Sequence, residues 1–231
     1  MAKLLFLETA TQVCSVALAE DGKLISIKES QSANSHSSLL TSFIQDVLET
    51  ANIKLQDLDA IVVSKGPGSY TGLRIGVSSA KGLCYSLDIP LISVNTLQSI
   101  AAGMSADIKD NKAFYCPMID ARRMEVYTAI FDYQNKEIEA TSAKIIDENS
   151  FGELLNKKVV YFAGDGAAKC KAILSNYPNA KFLNGFRISS KDMIKIAFEK
   201  YKAKQFEDVA YFEPYYLKDF IAGIPKVKGL K

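Results

Sequence analysis

The chain has 231 residues, 48% of them hydrophobic and 23% charged, a composition ordinary for a soluble globular protein with a sizeable core. Its 28 basic and 26 acidic side chains nearly cancel, which excludes an overall polyanion-binding charge. No apolar run reaches the length of a membrane span, and Met1-Ala2-Lys3 leads into a strand without signal-peptide anatomy, so a cytoplasmic protein is expected. Residues 1–107 carry 7 basic against 10 acidic side chains and residues 108–231 carry 21 against 16, a weak pointer to an acidic partner or nucleic acid for the second half. Cys14, Cys84, Cys116 and Cys170 show neither a CxxC pair nor metal-ligand spacing, so four buried, reduced thiols are expected.

Taken in order, Leu4–Leu7 and Cys14–Ala19 are strand runs around the polar turn Glu8-Thr9-Ala10-Thr11. Asp21-Gly22 is a hairpin turn into a third strand, Leu24–Ile27. Asn34 or Ser35 is available to cap a helix that runs to about Ala51, with an apolar stripe of Leu39, Leu40, Phe43, Ile44, Val47, Leu48 and Ala51. The buried run Ala60–Val63, the loop Gly66-Pro67-Gly68-Ser69-Tyr70-Thr71-Gly72 and a helix through Leu87 read as strand, glycine loop, helix. A strand at Leu91–Val94 precedes a helix over Leu97–Met104 capped by Thr96, and Ala106–Lys112 is the expected boundary between the halves. The second half begins again with strands at Phe114–Asp120, Glu125–Phe131 and Glu137–Ile146. A short helix near 148–155, a buried strand Val159–Ala163, the turn Gly164-Asp165-Gly166 and a helical segment follow. An amphipathic helix over Ser190–Lys204 and Pro214-Tyr215-Tyr216-Leu217 close the folded part, before a loose tail after Ala222. Strands followed by helices in each half, each with a strand–Gly-turn–helix unit, predict a duplicated α/β layout.

The glycine loop is not a Walker A motif, because no Lys-Ser or Lys-Thr follows Gly72, and Pro67 and the spacing rule out the dinucleotide fingerprint. It is either an oxyanion or phosphate nest, or a turn whose glycines permit close packing. His36 is the only histidine, so neither a Ser-His-Asp hydrolase nor a histidine-based metal site finds its residues. Asp120-Ala121-Arg122-Arg123-Met124-Glu125 is either a charged turn or a carboxylate–guanidinium constellation at a cleft between the lobes. Gly72, Gly76 and Ala80 form a small-residue face, suited to a second helix or to the chain's own sheet.

The block Gly66-Pro67-Gly68-Ser69-Tyr70-Thr71-Gly72-Leu73-Arg74-Ile75-Gly76, with Ala80-Lys81-Gly82-Leu83, resembles the signature of the TsaB (YeaZ) family. LLFLETATQVCSVAL at the start, His36-Ser37, IPLISVNTL at 89–97, IDARRMEVY at 119–127 and PYYL at 214–217 agree in order, so the resemblance covers nearly the whole chain. It implies an α/β fold of the actin/sugar-kinase/Hsp70-like (ASKHA) type, two related lobes each with a mixed sheet and packed helices. The N-terminal lobe, 1–107, would carry the partner-binding helices, and the C-terminal lobe, 108–231, would send its last segment back to the first.

The family works in bacterial tRNA threonylcarbamoyladenosine biosynthesis, and is kin to a catalytic subunit misnamed an M22 glycoprotease. That subunit uses an HxxxH metal site; here Leu40 stands where the second histidine would be, so the resemblance implies a non-catalytic partner with no catalytic residue and no metal. Implied partners are the catalytic TsaD-family paralogue, the TsaE-family ATPase of the pathway, a second copy in a homodimer, and tRNA indirectly through the complex. No cofactor is required by the chain itself, with ATP or ADP expected at the complex interface. The implied seam comprises Leu39, Phe43, Ile44, Val47, Gly72, Gly76 and Ala80, where a charge at Phe43 or Ala80 is expected to abolish pairing and leave the monomer folded. Gly66, Gly68, Ser69 and Thr71 would be a vestigial phosphate loop, and Glu8-Thr9-Ala10 departs from the family's common Asp-Thr-Ser. The competing class is an ATP-binding phosphotransferase of the same fold. A metalloprotease lacks its histidines, and a direct tRNA-binding module would draw on Lys218, Lys226, Lys228 and Lys231.

Overall fold

The computed structural model describes residues 1–31 and 36–218. Asn34 and Ser35, the tail after Ala222, and Lys226, Lys228 and Lys231 lie outside the described residues.

Two five-stranded mixed sheets repeat one topology. In the first, β1 (Lys3–Glu8) pairs antiparallel with β2 (Cys14–Glu20), and β2 with β3 (Lys23–Ser30). On the other side β1 pairs parallel with β4 (Ala60–Gly66), and β4 with β5 (Leu91–Asn95), giving the order β3-β2-β1-β4-β5. The second sheet, β10-β9-β6-β7-β8, is built the same way from β6 (Phe114–Asp120), β7 (Glu125–Phe131), β8 (Glu137–Ile145), β9 (Val160–Ala163) and β10 (Ala180–Phe182). The helices are α1 (His36–Ala51), α2 (Tyr70–Leu87), α3 (Thr96–Ile108), α4 (Gly152–Leu155), α5 (Ala167–Leu174) and α6 (Ile194–Lys202).

The near-continuous apolar runs of β1 and β4 follow from burial on both faces. Leu5, Leu7, Ile61 and Val63 pack under α1 and α2 with Phe43, Val47 and Val77. Leu4, Phe6 and Val62 face the other way, onto Met193, Ile194 and Ala197. Those last residues belong to the C-terminal half, so α6 covers the first lobe's sheet. In return α3 leaves β5 and covers the second sheet, where Leu97, Ile100 and Met104 meet Tyr115, Ile119 and Phe131. Each lobe thus depends on the other for one layer of its core, although the two sheets separate cleanly in sequence.

Several local expectations change. Asn95, not Thr96, caps α3: its Oδ1 accepts from the amides of Leu97 and Gln98 at 2.8 and 3.2 Å. The Thr96 hydroxyl is instead engaged by Ser64 and by the amide of Gly66. The helix runs on to Ile108, into the expected linker, because Met104 and Ser105 are buried against the neighbouring structure. The segment 190–204 is a 3-10 turn, Ser190–Met193, followed by α6, since Ser190 is tied across the molecule to Ser15 through its amide (3.0 Å) and hydroxyl (2.7 Å). The helix near 148–155 is one turn, Gly152–Leu155. All four cysteines are buried and free.

Candidate functional site

The glycine loop starts where β4 ends. Gly66 has φ +110°, which favours glycine, and a Cβ there would meet the Tyr215 carbonyl oxygen at 2.6 Å. After a cis Gly66–Pro67 bond, Ser69 caps α2 by accepting from the Gly72 amide at 3.3 Å. The loop lies directly on the β1–β2 turn. The Ser69 amide donates to the Ala10 carbonyl at 2.7 Å, and the Thr9 hydroxyl donates to the Gly72 carbonyl at 2.8 Å. A Cβ at Gly68 would sit 2.3 Å from the Ala10 oxygen, one at Gly72 2.0 Å from the Thr9 oxygen, and one at Gly76 2.3 Å from the Thr9 Oγ1. The small-residue face is therefore filled by the chain's own turn, not by another helix, and the amides of Ser69 and Gly72 are engaged within the protein. Thr71 is exposed on the first turn of α2.

Behind this contact sits Glu8, fully buried at the end of β1. Its Oε1 accepts from the Ala10 amide at 2.6 Å, whereas Oε2 has no partner within hydrogen-bond distance. Burial pushes its pKa up to about 7, against the opposing pull of the Ala10 amide and the nearby Ser64 hydroxyl. A carboxyl group so enclosed is partly protonated at neutral pH and is shut off from an incoming cation.

The second lobe carries the counterpart. Gly164 has φ +105°, close to that of Gly66, and the Gly166 amide donates to the Met118 carbonyl at 3.0 Å. Asp165 Oδ1 accepts from the Asp120 amide at 3.0 Å, and burial raises the Asp165 pKa. For Asp120, desolvation pushes up, but the Lys169 ammonium and the Arg122 amide outweigh it and hold the pKa below the ordinary value. Arg122 and Arg123, both exposed, turn the β6–β7 hairpin in left-handed conformations, φ 70° and 49°. The carboxylates of this turn are paired with lysines: Lys169 with Asp120, and Lys218 with Glu125. Lys169 follows the Gly164 turn by one helical turn, a spacing visible in sequence; nothing local marks Lys218 as its neighbour.

Lys218 belongs to a strap that returns over the first lobe. The Lys81 ammonium donates to the Ala210 and Phe212 carbonyls at 3.1 and 3.0 Å, and the Tyr215 amide donates to the Lys65 carbonyl at 2.7 Å. The Tyr216 ring lies 5.0 Å from that of Tyr70, over which the Arg74 guanidinium sits at 4.5 Å. The strap thus passes from the start of α2 to the β6–β7 turn. A cavity of about 480 Å³ between strap and lobes is lined by Lys65, Asn95, Thr141, Glu207, Glu213 and Tyr215.

The expected seam lies mostly inside the molecule. Phe43, Ile44, Val47 and Ala80 are buried in the core under α1 and α2, Gly72 and Gly76 are closed over by Thr9, and Leu39 is half-buried. The same two helices present other residues outward: Thr41, Ser42, Gln45 and Glu49 on α1, and Thr71, Ser78, Gly82 and Tyr85 on α2. Tyr85 is 86% exposed, and a Cβ at Gly82 would meet nothing within 4 Å. His36 contacts the Val13 carbonyl at 3.3 Å, and Leu40 points into the core at 1% exposure. Among the described residues no three His, Cys, Asp or Glu side chains gather as a metal site, and no helix is long and apolar enough to cross a membrane.

Two lobes of identical strand order, each with a glycine turn at the head of a helix beside the first hairpin, define the actin/sugar-kinase/Hsp70 class. A ROK family protein from Streptococcus pneumoniae shares this fold with a TM-score of 0.51 at 10% identity, over 88% of this chain and 99% of its own. YeaZ from Pseudomonas aeruginosa is far nearer, with a TM-score of 0.79 at 25% identity over 94% and 100% of the two chains. A family model described as TsaD, tRNA N6-adenosine threonylcarbamoyltransferase, matches residues 25–225. The tRNA threonylcarbamoyladenosine biosynthesis protein TsaB of Bacillus subtilis is 32% identical over 223 residues, 93% of each chain. The chain belongs to the TsaB (YeaZ) family.

Proposed function

We propose that this chain is a cytoplasmic, non-catalytic subunit in the biosynthesis of threonylcarbamoyladenosine on tRNA, dimerising with and supporting a catalytic threonylcarbamoyltransferase of the TsaD family. The observation that carries the non-catalytic role is the replacement of a second metal-binding histidine by Leu40, whose side chain is built into the core and has no donor atom. The TsaD family match and the similarity to the TsaB protein of Bacillus subtilis support the pathway.

Docking uses the outward face of α1 and α2, centred on Ser78, Gly82 and Tyr85. An exposed tyrosine beside small residues is the composition of a helix-packing surface with an aromatic anchor. The same face serves a homodimer in the absence of the paralogue. The TsaE-family ATPase and tRNA join through the complex. ATP or ADP binds at the complex interface and is not required by this chain: the enclosed Glu8 and the occupied amides of Ser69 and Gly72 do not suit a magnesium nucleotide on the glycine loop.

Reconstitution with the paralogue and the ATPase, scored for modified adenosine, tests this. Modification that depends on this chain supports the role. Equal modification without it, or threonylcarbamoyl transfer by this chain alone, overturns it.

A further inference from the structure

The two helices exchanged between the lobes, α3 and α6, bound a cavity of about 960 Å³ together with the β2–β3 and β7–β8 turns. Leu24, Ala102, Tyr133 and Ile196 give it apolar walls, and its volume admits a small molecule. Asp107, Lys191, Lys195 and Glu199 line it as exposed side chains, which water screens. Two charged side chains on the wall are not exposed, Lys200 and Asp192. Lys200 Nζ is held at 2.8 Å by the carbonyl of Ser93, a residue outside the cavity wall. Asp192 has no such tie: its carboxylate makes no hydrogen bond or ion pair among the described residues. Nor is it used as a cap, because Ser189 accepts from the Lys191 amide at 3.3 Å and the Ser190 amide donates to Ser15 at 3.0 Å. The carboxylate lies instead against Gly103 in α3, where a Cβ would meet its Oδ2 at 2.6 Å. A glycine inside a helix weakens it, and here it makes room for an acceptor that the protein leaves unsatisfied.

We infer that this cavity is a binding site for a small organic cation, a primary amine on an apolar body, anchored by Asp192. A half-buried carboxylate without a donor, set among apolar walls, is best satisfied by a charged N–H group. The ammonium donates to Asp192, and the body packs between Ala102 of α3 and Ile196 of α6. No residue of α1 or α2 lines the cavity, so the ligand leaves their outward face free. Burial above all pushes the Asp192 pKa up to about 7; Lys191 opposes this, while Asp107, Glu29 and Glu8 add to it. Lys195 and Glu199 of α6 complete the charged surroundings. Proton and amine therefore compete for one carboxylate, and amine binding weakens as pH falls through about 7.

The test is isothermal titration of the full chain with phenethylamine, using phenethyl alcohol and hydrocinnamate as neutral and anionic bodies of similar size. At about pH 8 the amine is expected to bind about tenfold more tightly than either. Between about pH 8 and about pH 6 its affinity should fall about tenfold, because the amine stays protonated while Asp192 loses its charge. Asp192→Asn should remove both the preference and the pH dependence, with a melting temperature no lower than the parent's, since it takes away a carboxylate without a partner. No amine binding at millimolar concentration, an affinity equal to that of the alcohol, or one left unchanged by Asp192→Asn or by acid overturns the inference.

Discussion

Thr9 donates its hydroxyl proton to the carbonyl of Gly72 at 2.8 Å, and its own carbonyl oxygen stands where a Cβ of residue 72 would be, 2.0 Å away. This pair fastens the β1–β2 turn to the head of α2. Gly72→Ala must push backbone away from backbone, and should lower stability by about 2 kcal/mol or more. Thr9→Val removes the hydrogen bond and sets a methyl group against Gly76 and the Gly72 carbonyl, and should cost about 1–2 kcal/mol. Urea unfolding of both variants measures the difference; an alanine at 72 as harmless as Thr9→Val would show that the contact is loose.

Glu8 makes stability depend on pH with a defined sign. Its folded pKa of about 7 lies above the ordinary 4.5, so the folded state holds a proton that the unfolded state has released between those values. The group therefore costs nothing below pH 4.5, and its penalty grows as pH rises, reaching its full size above pH 7. The upper bound is on the order of 3 kcal/mol. Glu8→Gln should remove the Glu8 share, about half or less, of the decline in melting temperature between acid and mildly alkaline pH. Asp192, which burial also pushes up to about 7 from a lower starting value, keeps a slope of the same sign and at least comparable size.

Asn95 has two tasks. Its Oδ1 caps α3 and its Nδ2 donates to Thr141 Oγ1 at 3.3 Å, reaching from the first lobe to the second. Asn95→Ala should cost about 1–2 kcal/mol, while Asn95→Asp keeps the cap and turns the inter-lobe donor into an acceptor that the Thr141 hydroxyl can still reach, so it should cost less. Chemical denaturation of the pair, with Thr141→Val as the matching change, separates the two contributions; equal losses for alanine and aspartate would mean that the cap contributes nothing.

Burial reverses the expectation for Phe43. At 7% exposure it lies in the core under α1, so Phe43→Asp should destabilise the monomer by at least about 3 kcal/mol and cannot report on pairing alone. Ala80, at 0% exposure, has the same defect. Gly82→Arg and Tyr85→Ala act on the open face. Both should leave the melting temperature within a few degrees of the parent and abolish co-elution with the TsaD-family paralogue on size exclusion. Retained co-elution of a folded Gly82→Arg protein would remove the outer face of α2 from the interface.

The local grammar of the chain was readable where one element decides its own shape. Leu4–Leu7, Ala60–Val63 and the helix ending at Leu87 carry apolar residues at strand or helix period, and all three elements are present. Asn95 was missed as a cap because Thr96 next to it is an equally good one; only the pull of Ser64 and Gly66 on the Thr96 hydroxyl separates them. Strand β10 has no apolar run of its own and exists because β9 offers it a parallel edge.

By itself the sequence determined the duplicated order of strands and helices, the glycine turns and the want of a second histidine, because periodicity and residue chemistry are properties of the chain. Only the tertiary structure decided what each buried face touches. An amphipathic stripe states that one side of a helix avoids water, but it does not name the surface that covers it. Hence α3 and α6 could be read as helices but not as exchanged between lobes. The Gly72, Gly76 and Ala80 face could be read as a place of close approach, but not as the seat of Thr9 and the chain's own sheet.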